Sequence, residues 1–260
     1  MRYSFTRITA LALVCLFVGC SAYGPPRIAG EQVHRSIVFS APGGRPLRLD
    51  LYVPPKSMQP APIVIWMFGG SWKFGSRGYH LNIRNLTRAG IAVAAIDYRL
   101  SSEALYPAQL EDCQSALRWL RENGARYGID PTRIGAAGES SGGHLAALLG
   151  TVEGRPRIRA VCALYPPTDL VAIGREYADA NPSDIERLLG GPIEKRLALA
   201  REASPINHVN KNSPPFVLIH GAQDTLVSIS HSQRLAQRLR ENGVSVKLIT
   251  VADKGHWFLL

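Results

Sequence analysis

The sequence predicts an α/β fold in which a mostly parallel sheet is covered by helices on both faces. Strand-like apolar runs alternate with helical stretches over residues 33–251, and such alternation requires crossover connections between parallel strands. The runs at residues 62–68 and 216–220 are almost continuously apolar, as in strands buried on both faces. Residues 33–39 and 47–53 flank a short Gly/Pro turn and predict an antiparallel hairpin at one edge of the sheet.

The remaining elements follow from apolar periodicity and from glycine and proline breaks. Helices are predicted at residues 79–89, 107–127, 184–189, 195–201 and 228–241. Further strands are predicted at residues 91–96, 134–137, 161–165 and 244–251.

Composition is that of a folded domain. The chain has 260 residues and 28.4 kDa, with 46% hydrophobic and 19% charged residues, which suits one domain with a large core. Its net charge of +10 occurs without an aromatic-interleaved basic stripe or a nucleic-acid motif, so we expect a solvated basic surface and no nucleic-acid partner. No phosphate-cradling loop or metal-ligand cluster stands out, so we expect neither a cofactor nor a metal.

Residues 1–19 resemble a secretory signal peptide. Arg2 and Arg7 give a basic start, and residues 8–18 form an apolar stretch too short to span a bilayer comfortably. We therefore expect the chain to be exported.

The end of this leader, Phe17-Val18-Gly19-Cys20, resembles the cleavage box of bacterial lipoproteins, although leucine is usual at the first position. The resemblance implies that Cys20 carries the lipid and that residues 20–32 tether the protein to a membrane. It leaves residues 33–260 as the folded domain. Ser21 after the cysteine implies sorting to an outer membrane, facing the periplasm. The alternative is an ordinary signal peptide that happens to end in cysteine.

Two cysteines, Cys113 and Cys162, remain in the expected mature domain. Export permits a disulfide, but their spacing does not indicate that they meet. Buried thiols behave as small apolar groups, so we expect both to be free.

Residues 138–142, Gly-Glu-Ser-Ser-Gly, match the pattern G-x-S-x-G between a predicted strand and a predicted helix. A serine on such a sharp turn presents its hydroxyl outward, and small residues are needed where helix and strand pass closely. The helix N-terminus adds partial positive charge where an oxyanion would form. The motif predicts Ser140 as a nucleophile.

A serine hydroxyl needs a base, and the base needs a carboxylate to fix its tautomer. His256 follows the last predicted strand by a short loop and is the candidate base. Asp224 lies just beyond the strand at residues 216–220, at the sheet edge where ligand-facing groups collect, and is the candidate acid. Asp169 is the second choice, and we expect it to brace a loop instead.

The other histidines fit the site less well. His144 lies one helical turn after Ser140 and should pack or bond locally, and His220 should be buried within its strand. The remaining four are expected at the surface: His34, His80, His208 and His231.

Backbone N–H groups must stabilise the oxyanion of a serine hydrolase. Ser141 directly follows the nucleophile and supplies one such group. The turn at Gly69 and Gly70, after a predicted buried strand, is expected to supply the rest. Trp72 and Trp257 are candidates to line the substrate site, although core packing explains either tryptophan almost as well.

These motifs together resemble the α/β-hydrolases, and within them the compact esterase group that includes feruloyl and acetyl esterases of the hormone-sensitive-lipase-like type. The resemblance is carried by residues 68–72 (FGGSW), 97–100 (DYRL), 128–131 (GIDP), 138–142 (GESSG), 165–169 (YPPTD), 220–224 (HGAQD) and 255–256 (GH). It implies a Ser140–Asp224–His256 triad and ester hydrolysis through an acyl-enzyme. Phe68 replaces the family's usual histidine, which puts the rigidity of the oxyanion loop in doubt. Four residues follow His256 where the family has a further helix, so the chain is either truncated there or covered by a partner surface.

The region between residues 169 and 213, where such enzymes insert lids, is modest in length. An open site suits short acyl esters or esters attached to a polymer, so a small-molecule or polysaccharide-linked ester is the expected substrate. Two alternatives stay open: an amidase or peptidase of the prolyl-oligopeptidase-like type, and a catalytically silent binding protein on the same scaffold.

Overall fold

A computed structural model gives the fold of most of the chain. It describes residues 28–78, 83–153, 157–176 and 183–256. The predicted leader with Cys20, the surface candidate His80 and the site candidate Trp257 lie outside the described residues.

The centre of the fold is an eight-stranded sheet with strand order β1-β2-β4-β3-β5-β6-β7-β8. Its strands are β1 (Gln32–Ser40), β2 (Leu47–Val53), β3 (Ala61–Met67), β4 (Ala92–Ile96), β5 (Ile129–Glu139), β6 (Val161–Leu164), β7 (Phe216–Gly221) and β8 (Val246–Val251). β2 pairs antiparallel with β1 and with β4, and the other pairings are parallel. Both the parallel sheet and the edge hairpin are confirmed.

Helices follow most of the strands. They are α1 (Ile83–Arg88), α2 (Ala108–Asn123), α3 (Ser141–Thr151), α4 (Leu170–Glu176), α5 (Asp184–Leu189), α6 (Leu197–Glu202) and α7 (Ser230–Glu241). The predicted helix at 107–127 is shorter than expected because its last turn is a 3₁₀ helix, Gly124–Tyr127. α4 was not predicted, since its seven residues are too few for a clear helical period.

The sheet separates two layers of apolar side chains. Successive residues of β3 alternate between them, so Ile65 joins the larger cluster and Trp66 the smaller one. The larger cluster contains Cys113 and the smaller one contains Cys162. Both cysteines are buried and free, as expected, because the sheet lies between them.

The turn at Ser140 joins β5 to α3 without an intervening loop. Ser140 has φ 50° and ψ −121°, a conformation that non-glycine residues rarely adopt. A Cβ atom at Gly138 would lie 2.5 Å from the carbonyl carbon of Gly142, and one at Gly142 would lie 2.1 Å from the Met67 oxygen. The close packing expected from the motif is therefore present.

None of the helices in the described ranges is long and apolar enough to cross a bilayer.

Replacing Gly142 with alanine should destabilise the fold, because the new methyl group would overlap the backbone of β3. Overpacking of this kind costs about 1–3 kcal/mol. The matched control is Gly78→Ala, where the nearest atom to a new Cβ is 3.6 Å away. Urea unfolding measures both variants, and equal stabilities would contradict the close approach of β3 and α3.

Candidate active site

Ser140 is fixed by backbone contacts on both sides of the turn. Its N–H donates to the Leu164 carbonyl of β6 over 2.9 Å, and its own carbonyl accepts from the His144 N–H over 2.9 Å. Ser140 is 6% exposed, so its hydroxyl lies at the floor of a cleft rather than on open surface. The strained turn and these two bonds together set the direction of the side chain.

The structure brings Ser140, His256 and Asp224 together. The Ser140 Oγ lies 3.0 Å from His256 Nε2, across 116 positions of sequence. His256 Nδ1 lies 2.7 Å from Asp224 Oδ2. A carboxylate only accepts, so Nδ1 carries the imidazole proton and Nε2 is left to accept from the serine hydroxyl. This is the geometry of a serine nucleophile with its base and orienting acid.

Asp224 is held as a carboxylate. Its Oδ1 accepts from the backbone N–H groups of Leu226 (2.9 Å) and Val227 (2.8 Å). Burial opposes ionisation, but hydrogen bonds from His220, His256 and the Val227 N–H outweigh it and lower the pKa of Asp224. The acid is therefore ionised at neutral pH, as an imidazolium partner requires.

His220 is buried and satisfied in β7, as predicted, but it also touches the acid. Its Nδ1 lies 2.7 Å from Ser232 Oγ, and its Nε2 lies 2.8 Å from the Val227 carbonyl. The same Nε2 is 3.2 Å from Asp224 Oδ2. His220 thus braces the loop that carries Asp224, a role that its position inside a strand did not reveal.

A second carboxylate, Glu139, lies beside the nucleophile. Burial raises its pKa, against the lowering effects of hydrogen bonds from the Tyr165 hydroxyl and the Gly69 N–H and of the nearby His256. The Tyr165 hydroxyl donates to Glu139 Oε2 over 2.7 Å. The Tyr165 ring also lies 4.6 Å from the His256 ring. The sequence placed both residues inside quoted motifs but assigned neither a contact.

The loop after β3, residues 68–75, is called the oxyanion loop, and it differs from the prediction at one donor. The Gly69 N–H is directed to the Glu139 carboxylate, so the prediction of Gly69 as an oxyanion donor is wrong. The donor role of Gly70 stays a prediction; the residue has φ +123°, and a Cβ there would lie 2.2 Å from the Phe74 carbonyl oxygen, so the turn requires glycine. Ser71, which the sequence did not single out, lines the cleft with Ser140 and Ser141. Ser71 and Ser141 are therefore the residues next to Ser140 in the lining whose backbone N–H groups are candidate oxyanion donors, together with the predicted Gly70.

Phe68 anchors the start of this loop. Its ring stacks on Tyr98 with centroids 4.2 Å apart and planes 12° apart. The Tyr98 hydroxyl donates to the Phe68 carbonyl over 2.9 Å. A Cβ at Gly75 would lie 2.5 Å from the Phe68 ring, which shows how closely the loop packs on it. These contacts fix the Phe68 side chain at the start of the loop.

Trp72 lines the cleft, as predicted, and is also 3% exposed and packed. Its indole Nε1 lies 3.2 Å from His144 Nδ1. Trp72 is thus a packed residue that also lines the cleft, and its contact with substrate stays a prediction.

The cleft above Ser140 has a volume of about 350 Å³. An apolar wall is formed by Ile173, Ile185, Leu226 and Val227. Lys73 of the oxyanion loop and Asp184 of α5 also line the cleft and form an ion pair of 2.8 Å. The site is a small cleft in which this apolar wall faces polar and charged side chains, among them Ser183 and Arg187.

The remaining candidates lie away from this chemistry. Asp169 braces a loop, as expected, by accepting from the Ala172 N–H over 3.0 Å and from Arg234 over 3.1 Å. The surface prediction for His231 is wrong, because the first turn of α7 faces inward and buries it completely. His34 and His208 are half-buried. Within the described ranges no group of three or more His, Cys, Asp or Glu side chains could hold a metal ion.

Comparison with known proteins identifies the family to which the chain belongs. The model of the BD-FAE family matches residues 49–239, which is most of the chain. The chain belongs to the BD-FAE family. The resemblance to the compact esterases and the α/β-hydrolase fold are thereby confirmed.

Two curated relatives are similar along most of the chain. Esterase LipC of Mycobacterium tuberculosis is 31% identical over 217 residues, covering 77% of this chain and 54% of LipC. A probable isoprenylcysteine alpha-carbonyl methylesterase, ICMEL1 of Arabidopsis thaliana, is 29% identical over 86% of this chain and 51% of its own length. The chain therefore spans about half the length of the curated relatives it matches.

Two similar solved structures are covered over more of their own length than these curated relatives are. A truncated carbohydrate esterase from gut microbiota aligns with a TM-score of 0.74 at 27% identity, covering 90% of this chain and 92% of the other. Esterase Est2 of Thermogutta terrifontis aligns with a TM-score of 0.70 at 26% identity, covering 90% and 85%. The BD-FAE chain thus shares its described architecture with proteins named as esterases.

Acidification should destabilise the BD-FAE chain through His144. Burial lowers the pKa of His144 to about 4, below its ordinary value of 6.5. The unfolded chain then binds a proton that the folded chain does not, so this stabilisation is complete above about pH 6.5 and is lost as the pH falls towards 4. The loss of unfolding free energy is up to about 1.4 kcal/mol per pH unit.

Thermal midpoints between pH 7 and 4 measure this effect. The wild type should lose stability more steeply than His144→Gln, which has no group titrating there. Parallel curves for the two proteins would show that His144 does not carry the effect.

Proposed function

We propose that this chain is a serine carboxylic ester hydrolase that acts on short acyl esters or on esters attached to a polymer. The observation that carries the proposal is the unbroken hydrogen-bond chain from Ser140 Oγ through His256 to Asp224 at the floor of a small cleft. Relatives named as esterases favour ester hydrolysis over other uses of the same geometry.

The proposed reaction follows from the positions of these side chains. His256 Nε2 takes the proton of Ser140 as its oxygen bonds to the acyl carbon, and the developing oxyanion lies against the N–H groups of Ser71, Gly70 and Ser141. Asp224 stabilises the imidazolium that forms. The imidazolium then protonates the departing alcohol, which leaves an acyl-enzyme. Water, deprotonated by the same nitrogen, then attacks the acyl carbon, and the imidazolium returns this proton to Ser140 Oγ as the acyl–oxygen bond breaks and the acid leaves.

Two features favour small acyl groups. The cleft is about 350 Å³, and part of its lining is taken up by the ion pair between Lys73 and Asp184. Among the similar structures are a carbohydrate esterase and an acetyl ester-xyloside bifunctional hydrolase from Caldicellulosiruptor lactoaceticus. An acetyl group carried on a sugar polymer is a substrate of the right size and polarity for this cleft.

Ser140→Ala should abolish hydrolysis of p-nitrophenyl acetate. Loss of the nucleophile removes the acyl-enzyme route, and a fall of about 10³-fold or more in kcat is expected. Ser115→Ala, on α2 outside the site, is the matched control and should keep the wild-type rate. Wild-type protein that turns over no ester above the Ser140→Ala background would overturn the proposal and leave a silent binding protein. Turnover of amide but not ester substrates would leave an amidase.

Acyl length tests the size of the cleft. We expect kcat/KM to fall from p-nitrophenyl acetate and butyrate to the dodecanoate, because a cleft of about 350 Å³ leaves little room for a long chain. Asp184→Ala shortens a lining side chain and removes its ion pair with Lys73, and should reduce the difference between the short and long esters. A wild-type preference for the dodecanoate would refute the short-acyl assignment.

The predicted leader, residues 1–19, is the basis of a proposal about where the protein is located in the cell. We propose that Cys20 is lipidated and anchors the enzyme to an outer membrane on its periplasmic face. The basic start, the apolar stretch of residues 8–18 and the cysteine after Gly19 support this. Cys20→Ser should release the protein from membranes, whereas Cys15→Ser, within the leader, should not. Continued membrane association of Cys20→Ser would refute the anchor.

A further inference from the structure

The loop that offers oxyanion donors is strained. Ser71 has φ 52° and Trp72 has φ 58°, a region that residues with a Cβ rarely occupy. Such a conformation persists only where surrounding contacts determine it. The Ser101 N–H donates to the Trp72 carbonyl over 2.8 Å, which fixes the end of the loop by one backbone bond. The side chain of Trp72 supplies a second, independent restraint.

That restraint is His144. The imidazole is completely buried on α3, one turn after the nucleophile. Its Nδ1 lies 3.2 Å from the indole Nε1 of Trp72, and its Nε2 lies 2.6 Å from the Ala203 carbonyl. The two rings meet edge to face, with centroids 5.1 Å apart and planes at 87°. Indole only donates and a carbonyl only accepts, so the pair of contacts selects the tautomer with hydrogen on Nε2.

The position of His144 links two parts of the site. α3 begins at Ser141 and presents the Ser141 N–H beside the nucleophile, whereas the Ser71 N–H comes from the loop. An oxyanion can be bound by both only if the loop and the start of α3 keep a fixed separation. The bond from Trp72 to His144 joins these two elements directly.

We propose that His144 is a positioning residue that holds the oxyanion loop in place relative to Ser140 through its hydrogen bond from Trp72. The inference rests on the proposed ester hydrolysis. It assigns different roles to the two imidazole nitrogens: Nδ1 positions the loop, and Nε2 holds the Ala203 carbonyl. A histidine that merely fills the core would make no such distinction.

Two substitutions at His144 test the roles of its two imidazole nitrogens separately. In His144→Asn, the amide oxygen can occupy the place of Nδ1 and accept from Trp72, while the bond to Ala203 is lost. In His144→Gln, the longer side chain can place its amide nitrogen where Nε2 was, while the acceptor for Trp72 is lost. Each variant keeps one of two buried hydrogen bonds, so thermal midpoints should fall by similar amounts.

Their kinetics should differ. With p-nitrophenyl acetate, His144→Asn should keep kcat within about 3-fold of wild type, whereas His144→Gln should lower kcat by about 10- to 100-fold with little change in KM. The reason is that oxyanion donors act on the transition state rather than on bound substrate. Trp72→Phe keeps an aromatic ring but removes the donor, and should show the same fall in kcat. The double variant Trp72→Phe/His144→Gln should be no slower than either single variant, because both remove the same bond.

Equal kcat losses in His144→Asn and His144→Gln, or losses confined to KM, would overturn the proposal. If neither histidine variant folds, Trp72→Phe decides alone, and an unchanged kcat overturns it. Wild-type protein without esterase activity would remove the proposed function itself, an outcome distinct from an active wild type whose variants do not differ.

Discussion

The close approach of β3, β5 and α3 at the Ser140 turn is the constraint on which the rest of the site depends. Gly138 and Gly142 have no room for a Cβ, and Ser140 is held at φ 50° between them. A side chain at either glycine would push α3 away from the sheet. The nucleophile would then lose both its direction and its distance from His256. The fold therefore places its strain where the chemistry needs a fixed hydroxyl.

Four residues of one short segment, 139–144, each have a different role around this turn. Glu139 reaches back to the Gly69 N–H and to Tyr165, Ser140 meets the imidazole, and Ser141 offers its N–H to the cleft. His144, one turn later, reaches Trp72. A single strand-to-helix junction thus fixes the nucleophile, one oxyanion donor and the loop that supplies the others.

The pKa values of the two carboxylates near His256 are shifted in opposite directions. Burial raises the pKa of Glu139, whereas hydrogen bonds, including those from His220 and His256, overcome burial and lower the pKa of Asp224. Of these two carboxylates, Asp224 is the one hydrogen-bonded to the imidazole Nδ1, so it is the acid that fixes the tautomer. Glu139 instead joins the start of the oxyanion loop to the end of β6 through Tyr165.

The site residues that could be predicted from the sequence are those whose positions are determined by the topology of the sheet. Parallel strands bring their carboxyl ends to one edge, so Asp224 and His256 could be assigned from their places after β7 and β8. The sequence could not predict which N–H of the loop faces the cleft, because that depends on the backbone rotation between Gly69 and Ser71. The burial of His231 likewise depends on how α7 turns against its neighbours, which apolar periodicity does not resolve for a histidine in the first turn.

The most direct test of the central claim is covalent labelling with a fluorophosphonate, followed by mass spectrometry of the intact protein and its peptides. The account predicts one adduct per chain, on the peptide that contains Ser140, and much slower labelling in His256→Ala. An adduct on any other residue, or wild-type protein that does not react while remaining folded, would contradict the convergence of Ser140, His256 and Asp224 into one reactive site.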